Sequence, residues 1–144
     1  MTEKDHVQLA NQALAALNAH DIDGYLKLVD ESFVGESETL GTFHGRAGVR
    51  QMLTTMFQAF PDLHIQAEEI IATGNHIISR SILSGTHKGA FAGVPPTNKK
   101  VSWHSCNIVE VKDGKAIRNR IYADNVSLLR QLGVLQVPKA TTAG

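Results

Sequence analysis

Asp124 lies where a predicted strand meets a predicted helix, in the stretch "RIYADNVSLLRQLG" at residues 120–133. An aspartate at such a junction can cap the helix by accepting a hydrogen bond from its first turn. The same carboxylate can also remove a proton from a carbon flanked by carbonyl groups and return it to a new alkoxide. Burial against apolar walls would raise its pKa and make it a stronger base. On these residues alone both interpretations remain open.

The predicted strand around "WHSCN" adds a second candidate. Residues two apart in a strand share a face, so Trp103, Ser105 and Asn107 form one set, with His104 and Cys106 on the other. A neutral His104 imidazole beside Asp124 could share its proton, although a histidine that is simply hydrogen-bonded in the sheet fits equally well. Trp103 is either a pocket wall or part of the core. A small buried thiol is the favoured interpretation of the cysteine.

The same alternation puts Arg118, Arg120, Tyr122 and Asp124 on one side of the following strand. If that side faces a cavity, Arg120 can hold a substrate oxyanion and Tyr122 can donate a hydrogen bond. The alternative is a solvated sheet face, which we favour for Arg118.

Further candidates lie outside these two strands. His87 ends the motif "GTH" and is interpreted first as ordering the loop "GAFAGVPPT", and second as facing substrate. Methionine and aromatic residues at helical spacing usually form core, but a helix that covers a curved sheet would show the same pattern. We therefore include four apolar or aromatic residues as candidates for substrate contact: Tyr25, Phe33, Met56 and Phe60.

Several classes of function lack their usual signals. The seven histidines are scattered, and none forms HxH, HExxH or HxxxH, so a metal site is not expected. Nucleotide-binding glycine motifs and the GxSxG elbow are absent. No cofactor is expected. Lys plus Arg and Asp plus Glu number 14 each, which argues against nucleic acid or an anionic membrane as a partner.

The N-terminal sequence and the single cysteine, Cys106, predict the cellular setting. The stretch "MTEKDHVQLA" does not resemble a signal peptide. One cysteine cannot form an intrachain disulfide, and no apolar run approaches the roughly 20 residues that cross a bilayer. These features predict a cytoplasmic protein.

Helices are expected mainly in the first half. A capping box formed by Thr2 and Asp5 opens a helix that runs to about Ala19. A second helix, capped by Asp21 or Asp23, is expected to carry Tyr25, Leu28 and Val29 and to end at "DES". The spacing in "GRAGVRQMLTTMFQAFPD" predicts a third, and "LLRQLG" a short last helix closed by Gly133.

Strands are expected around Phe33 and Thr42 and over most of the second half. Four strands, at 63–72, 76–87, 99–111 and 115–123, are separated by turn residues that favour antiparallel hairpins. This order predicts an α+β fold, with helices on one face of a curved antiparallel sheet. Residues 1–135 are expected to form one domain, and 136–144 a flexible tail.

Motifs along nearly the whole chain resemble the SnoaL-like polyketide cyclase family. The matching stretches include "FPDL" at 60–63, "GTH" at 85–87, "GAFAGVPPT" at 89–97, "KDGK" at 112–115 and "LLRQLG" at 128–133. The resemblance implies a cone of curved sheet closed by three helices, the cystatin-like α+β barrel of nuclear transport factor two. It also implies cofactor-free aldol ring closure of polyketides, or related isomerase, dehydratase or hydrolase chemistry, with Asp124 at the position of the family's acid and base.

Two positions depart from the family pattern. The family carries a tryptophan where Arg120 and Ile121 stand, and a glycine where Asn98 follows "PPT". The expected substrate is an apolar, oxygenated small molecule, and a homodimer is expected because the convex side of such a sheet must be covered. The alternative function is non-catalytic binding or interaction, with Asp124 as a helix cap only.

Overall fold

The computed structural model describes residues 1–136 of the chain. The predicted tail therefore lies outside the described residues, apart from Gln136. Within residues 1–136 there are four helices and six strands, in the order α1 (Glu3–Asn18), α2 (Ile22–Leu26), β1 (Val29–Ser37), β2 (Gly41–His44), α3 (Gly45–Ala59), β3 (His64–Thr73), β4 (His76–Thr86), β5 (Lys100–Lys112), β6 (Lys115–Ala123) and α4 (Asn125–Gln131).

Polar side chains set the start of the first two helices. The Thr2 hydroxyl accepts from the Asp5 backbone N–H at 3.1 Å, and the Asp5 carboxylate accepts from the Thr2 N–H at 2.8 Å, which confirms the capping box. Asp21 caps α2 by accepting from the Gly24 N–H at 2.9 Å.

The second helix is shorter than predicted, and the extension to Val29 was wrong. Val29 is the first residue of β1, and "DES" lies within that strand. The backbone of Val29 pairs with Ala116 of β6, and its side chain is buried in the core. A β-branched residue with both a ladder partner and a core position is more stable in the strand than it would be in a longer α2.

One six-stranded sheet has the order β2-β1-β6-β5-β4-β3. The four C-terminal strands form the predicted antiparallel meander. Asp113 and Gly114 adopt left-handed backbone angles, φ 50° and 79°, as a tight hairpin requires. In contrast, β1 lies parallel to β6, a contact between distant parts of the chain that local patterns did not predict.

The sheet is curved, with register shifts between Val29 and Val34 of β1, between Ala67 and Glu69 of β3, and between Glu110 and Val111 of β5. Such bulges bend a strand and increase its twist. The result is an open, cone-like α+β fold, as the sequence predicted.

All four helices pack on one face of the sheet, which we call the inner face; the opposite side is the outer face. Three clusters of buried side chains lie between the helices and the inner face. The aromatic cluster includes Phe60, Phe91, Trp103 and Leu128. The α3 cluster includes Leu26, Phe33, Phe43, Val49 and Leu53. The α1 cluster contains Leu9, Ile77 and Val111. No helix within residues 1–136 has the length and apolarity that crossing a membrane demands.

Candidate active site

Uncharged polar side chains interrupt the apolar inner face in a band that crosses three strands. Trp103 and Val109 of β5 point inward, because they pack on the aromatic and α1 clusters. Strand alternation then directs Ser105 and Asn107, the two same-face residues between them, inward as well, together with their β4 partners Ser81 and Ser79. Asn119 of β6 faces the same side because it pairs with the inward-facing Val109. We call this set the polar band: Ser79, Ser81, Ser105, Asn107 and Asn119.

The polar band occupies a gap between the hydrophobic clusters. The ladder row of Leu83 and Trp103 belongs to the aromatic cluster, and the row of Ile77 and Val109 to the α1 cluster. The two rows between them contain the serines and Asn107. Ser79, Ser81 and Asn107 are only half-buried although they face the helices, so the helices leave part of this surface accessible.

Hydrogen bonding within the polar band is uneven. The Ser105 hydroxyl donates to Asn107 Oδ1 at 3.1 Å. Asn119 is 7% exposed, and its Oδ1 is buried without a hydrogen-bond partner in the described structure. Buried polar groups are normally paired, so an unpartnered acceptor on the inner face is an exception that needs an explanation.

Half-buried aromatic and apolar side chains on the helix side of the sheet pack against the buried clusters. Tyr25 of α2 packs against the α3 cluster, and burial raises the pKa of its phenol. Met52 and Phe57 of α3 each contact both the aromatic and the α3 clusters. The His20 ring stacks on Phe57 with centroids 4.1 Å apart. The inner face therefore combines uncharged polar side chains with half-buried apolar ones, the types of residue that line sites for oxygenated apolar ligands.

Asp124 follows the last residue of β6 and is the N-cap of α4. Its Oδ1 accepts from the Ser127 N–H at 3.0 Å, and its own N–H donates to the His104 carbonyl at 2.9 Å. The preceding residue, Ala123, faces inward and pairs with Ser105 of the polar band. Asp124 itself is exposed to solvent.

Arg120, Tyr122 and His104 lie on the outer face. Their neighbours Ile121, Ala123 and Trp103 pack inward, so the alternation of β5 and β6 turns all three outward. His104 Nε2 is 3.2 Å from Glu68 Oε1. Arg120 is 3.7 Å from a Glu110 carboxylate oxygen.

His87 orders the loop after β4, as first interpreted. Its backbone exchanges hydrogen bonds with Lys99 and Asn98, and the Thr97 N–H donates to its Nδ1 at 3.2 Å. Because Nδ1 accepts this bond, the proton of the neutral ring is on Nε2. The side chain is fully buried, and desolvation lowers its pKa.

The remaining predicted contacts are core residues. Phe33 belongs to the α3 cluster, and Met56, Phe60 and Trp103 to the aromatic cluster. The Phe60 ring lies 5.2 Å from Trp103 and 5.3 Å from Phe91, centroid to centroid. These four side chains are buried and give the site its rigid apolar frame.

None of the five residues of the polar band was predicted from the sequence as a site residue. For the two residues of β5 a signal was present, because Ser105 and Asn107 share the alternation of Trp103, the largest side chain of that strand. If the Trp103 set is assigned to the core side, the small polar residues beside it become the floor of the site.

Two clefts lie elsewhere. One of about 470 Å³ lies between α1 and β3. The other, of about 640 Å³, is lined mainly by basic side chains of α2, α3 and β6. Neither includes Asp124 or the polar band. Within residues 1–136 no group of three or more His, Cys, Asp or Glu side chains is arranged to hold a metal ion.

Comparisons with known proteins agree with this architecture. Residues 7–132 match the sequence profile of SnoaL-like polyketide cyclases. Aklanonic acid methyl ester cyclase DnrD of Streptomyces peucetius is 23% identical over 130 residues, which cover 88% of this chain and 90% of that protein.

Solved structures show the same fold. AclR, a candidate hydroxylase from Streptomyces galilaeus, is 30% identical, with a TM-score of 0.84 over 96% of this chain and 91% of that one. A Catenulispora acidiphila protein with a ketosteroid isomerase-like fold is 15% identical, with a TM-score of 0.76 over 90% of this chain and 97% of that one. The profile match extends over most of the chain, from α1 to α4, so the chain belongs to the SnoaL-like polyketide cyclase family.

Proposed function

We propose that this protein is a cofactor-free enzyme that closes a ring in an oxygenated polyketide by intramolecular aldol addition, with Asp124 as acid and base. The observation that carries the proposal is the position of Asp124: it directly follows the strand that contributes Asn119 to the polar band. The similarity to a cyclase for aklanonic acid methyl ester supports the reaction class.

The proposed reaction conserves atoms and charge. The Asp124 carboxylate removes a proton from a carbon between two carbonyl groups, and the resulting carbanion attacks a second carbonyl carbon of the same molecule. The new C–C bond leaves an alkoxide, which takes the proton back from the Asp124 carboxyl group. The positioned carboxylate typically contributes about 10² to 10⁴ in rate.

The polar band favours an uncharged substrate. Its side chains are all serine or asparagine, which can bind carbonyl and hydroxyl groups but cannot neutralise a charge. We therefore propose a substrate with a masked carboxyl group, such as an ester. Binding over the site would also bury Asp124 and strengthen it as a base.

Asp124→Asn tests the proposal, because asparagine caps a helix as well as aspartate but cannot transfer the proton. With aklanonic acid methyl ester and related polyketide esters as substrates, we expect turnover to fall about 10²- to 10⁴-fold with an unchanged melting temperature. Asp21→Asn is the matched control, since it makes the same substitution at the α2 cap and should leave turnover unchanged. Full turnover by Asp124→Asn would refute this mechanism.

A second candidate is non-catalytic binding of a small molecule. It is favoured by the cap itself, since Asp124 is exposed and already has a structural role in α4. In that case Asp124→Asn would leave ligand binding unchanged, and no polyketide ester would be turned over by the native protein.

We also propose that the protein is a homodimer joined through the outer face. All four described helices pack on the inner face, so within residues 1–136 the outer face has no cover. Tyr122 is 57% exposed there. It is surrounded by alternating charges that a second copy can match, among them Glu36 with Arg118, and Glu68 with Arg80.

A further inference from the structure

We propose that Asn119 is a substrate-selecting residue whose buried side-chain oxygen accepts a hydrogen bond from a hydroxyl group of the ligand. The inference rests on the proposed function, because it assumes that the inner face binds a small molecule. It adds a requirement on that molecule: one of its hydrogen-bond donors must come within hydrogen-bonding distance of Asn119 Oδ1.

The position of Asn119 excludes the usual structural partners. In the sheet it lies between Gly35 of β1, which has no side chain, and Val109 of β5, which has no polar atom beyond the backbone. Two residues along the strand, Ile121 also faces inward. The amide therefore has an apolar frame, in which an unpaired acceptor is unfavourable.

Phe43 closes the β1 side of this frame. A Cβ atom built on Gly35 would be only 2.2 Å from the Phe43 ring, so the ring occupies the space above the glycine. The nearest polar-band neighbour, Asn107, lies opposite Ile121, and its own oxygen already accepts from Ser105. Neither neighbour supplies a donor to Asn119 Oδ1.

The accessible part of the polar band is on the Asn107 side. Asn107 and Ile121 are half-buried, whereas Asn119 is 93% buried, so Asn119 lies at the inner end of a partly open surface. A ligand that covers the band brings its leading group to that end. A hydroxyl group there would donate a hydrogen bond to Asn119 Oδ1, whereas a methyl group would leave that oxygen unpaired.

The ligand test compares 2-naphthol with 2-methylnaphthalene, two probes of similar shape that differ in a hydroxyl against a methyl group. We expect native protein to bind 2-naphthol roughly tenfold or more tightly, as titrated by fluorescence or calorimetry. In Asn119→Leu, which is close in volume but has no acceptor, the preference should disappear. An unchanged preference in that variant would overturn the proposal, as would failure of native protein to bind either probe.

A stability measurement separates selection from a structural role. Without ligand, Asn119→Leu should melt at the same or a higher temperature than native protein, because it removes an unpaired buried acceptor. Asn107→Leu is the matched control and should melt lower, because it removes the acceptor of the Ser105 bond. A larger fall in melting temperature in Asn119→Leu than in Asn107→Leu would mean that Asn119 is a structural residue.

Two further readouts cover the remaining outcomes. If Asn119→Leu does not fold, the proposal is tested on native protein by NMR of the side-chain amide groups. The Asn119 amide signals should shift more with 2-naphthol than with 2-methylnaphthalene. Equal shifts would contradict the proposal. Asp124→Asn should keep the native preference for 2-naphthol. A failure of the catalytic proposal therefore leaves this result intact, and the two proposals can fail separately.

Discussion

Asp124 can have both roles, because the two use different parts of the group. Oδ1 accepts from the Ser127 N–H and holds the first turn of α4, which leaves the second oxygen of the carboxylate for proton transfer. The cap also restrains the carboxylate at the junction of β6 and α4, where the preceding residue, Ala123, pairs with Ser105 of the polar band. A positioned base needs such a restraint, so the cap is compatible with the catalytic role that we propose for Asp124.

His87 makes a pH-dependent prediction at the same scale. Its folded pKa lies below the ordinary value of 6.5, because burial disfavours the cation. As pH falls below 6.5 the unfolded chain takes up this proton and the folded chain does not, so stability falls with pH down to the folded pKa.

His87→Gln keeps an acceptor for Thr97 but removes the titration. At about pH 7.5 we expect it to lose roughly 1–3 kcal/mol of unfolding free energy, through poorer packing and hydrogen bonding. The difference between native and variant should narrow between about pH 6.5 and pH 5. Denaturant unfolding at several pH values measures both effects, and a difference that is constant with pH would contradict the neutral, buried state of His87.

At the scale of elements, the junction of β1, β2 and β6 supports the inner end of the site. Gly35 pairs with Phe43 on one side and with Asn119 on the other. The missing side chain lets the Phe43 ring lie over the strand and join the α3 cluster. A glycine in a strand is otherwise unfavourable, so this close approach explains its presence.

Gly35→Ala should destabilise the fold by roughly 1–3 kcal/mol, because the new methyl group overlaps the Phe43 ring. Shortening the ring in Gly35→Ala/Phe43→Leu should recover part of the loss, which a double-mutant cycle on unfolding free energies measures. Gly48→Ala, in α3, is the control: its Cβ contacts start at 3.3 Å, and the gain in helix propensity offsets them to within about 1 kcal/mol. If the changes in unfolding free energy from the substitutions at Gly35 and Phe43 are purely additive, this packing contact is contradicted.

At the scale of the whole molecule, the sheet separates two surfaces with different chemistry. The inner face combines three apolar clusters with uncharged polar residues. The outer face has its carboxylates and guanidinium groups in pairs, such as Glu36 with Arg118 at 2.7 Å. A two-fold interface joins the same surface of both copies, so the carboxylates of one copy can face the guanidinium groups of the other.

Sedimentation velocity tests this arrangement. Native protein should sediment as a dimer at micromolar concentration, and Tyr122→Glu should shift it to monomer by placing a charge in the centre of the outer face. Val126→Glu is the matched control, because Val126 is also exposed, at 48%, but lies on α4. A native protein that remains monomeric at high concentration, or a dimer insensitive to Tyr122→Glu, would exclude the proposed interface.

Local patterns in the sequence were sufficient to predict the helices α1, α3 and α4, the antiparallel meander and the position of Asp124 between β6 and α4. These features depend on capping, periodicity and turn residues, which act over a few neighbouring positions. The motifs spread along the chain also identified the family, and with it the cone-like fold.

Tertiary structure decided which side of each strand faces the site. Alternation separates Arg120 and Tyr122 from Ile121 and Ala123, but it does not say which set the helices cover. That choice depends on β1, which lies parallel to β6 and places Glu36 beside the arginines on the outer face. Pairing across more than 80 positions leaves no local signal, so the inward position of Asn119 followed only from the folded chain.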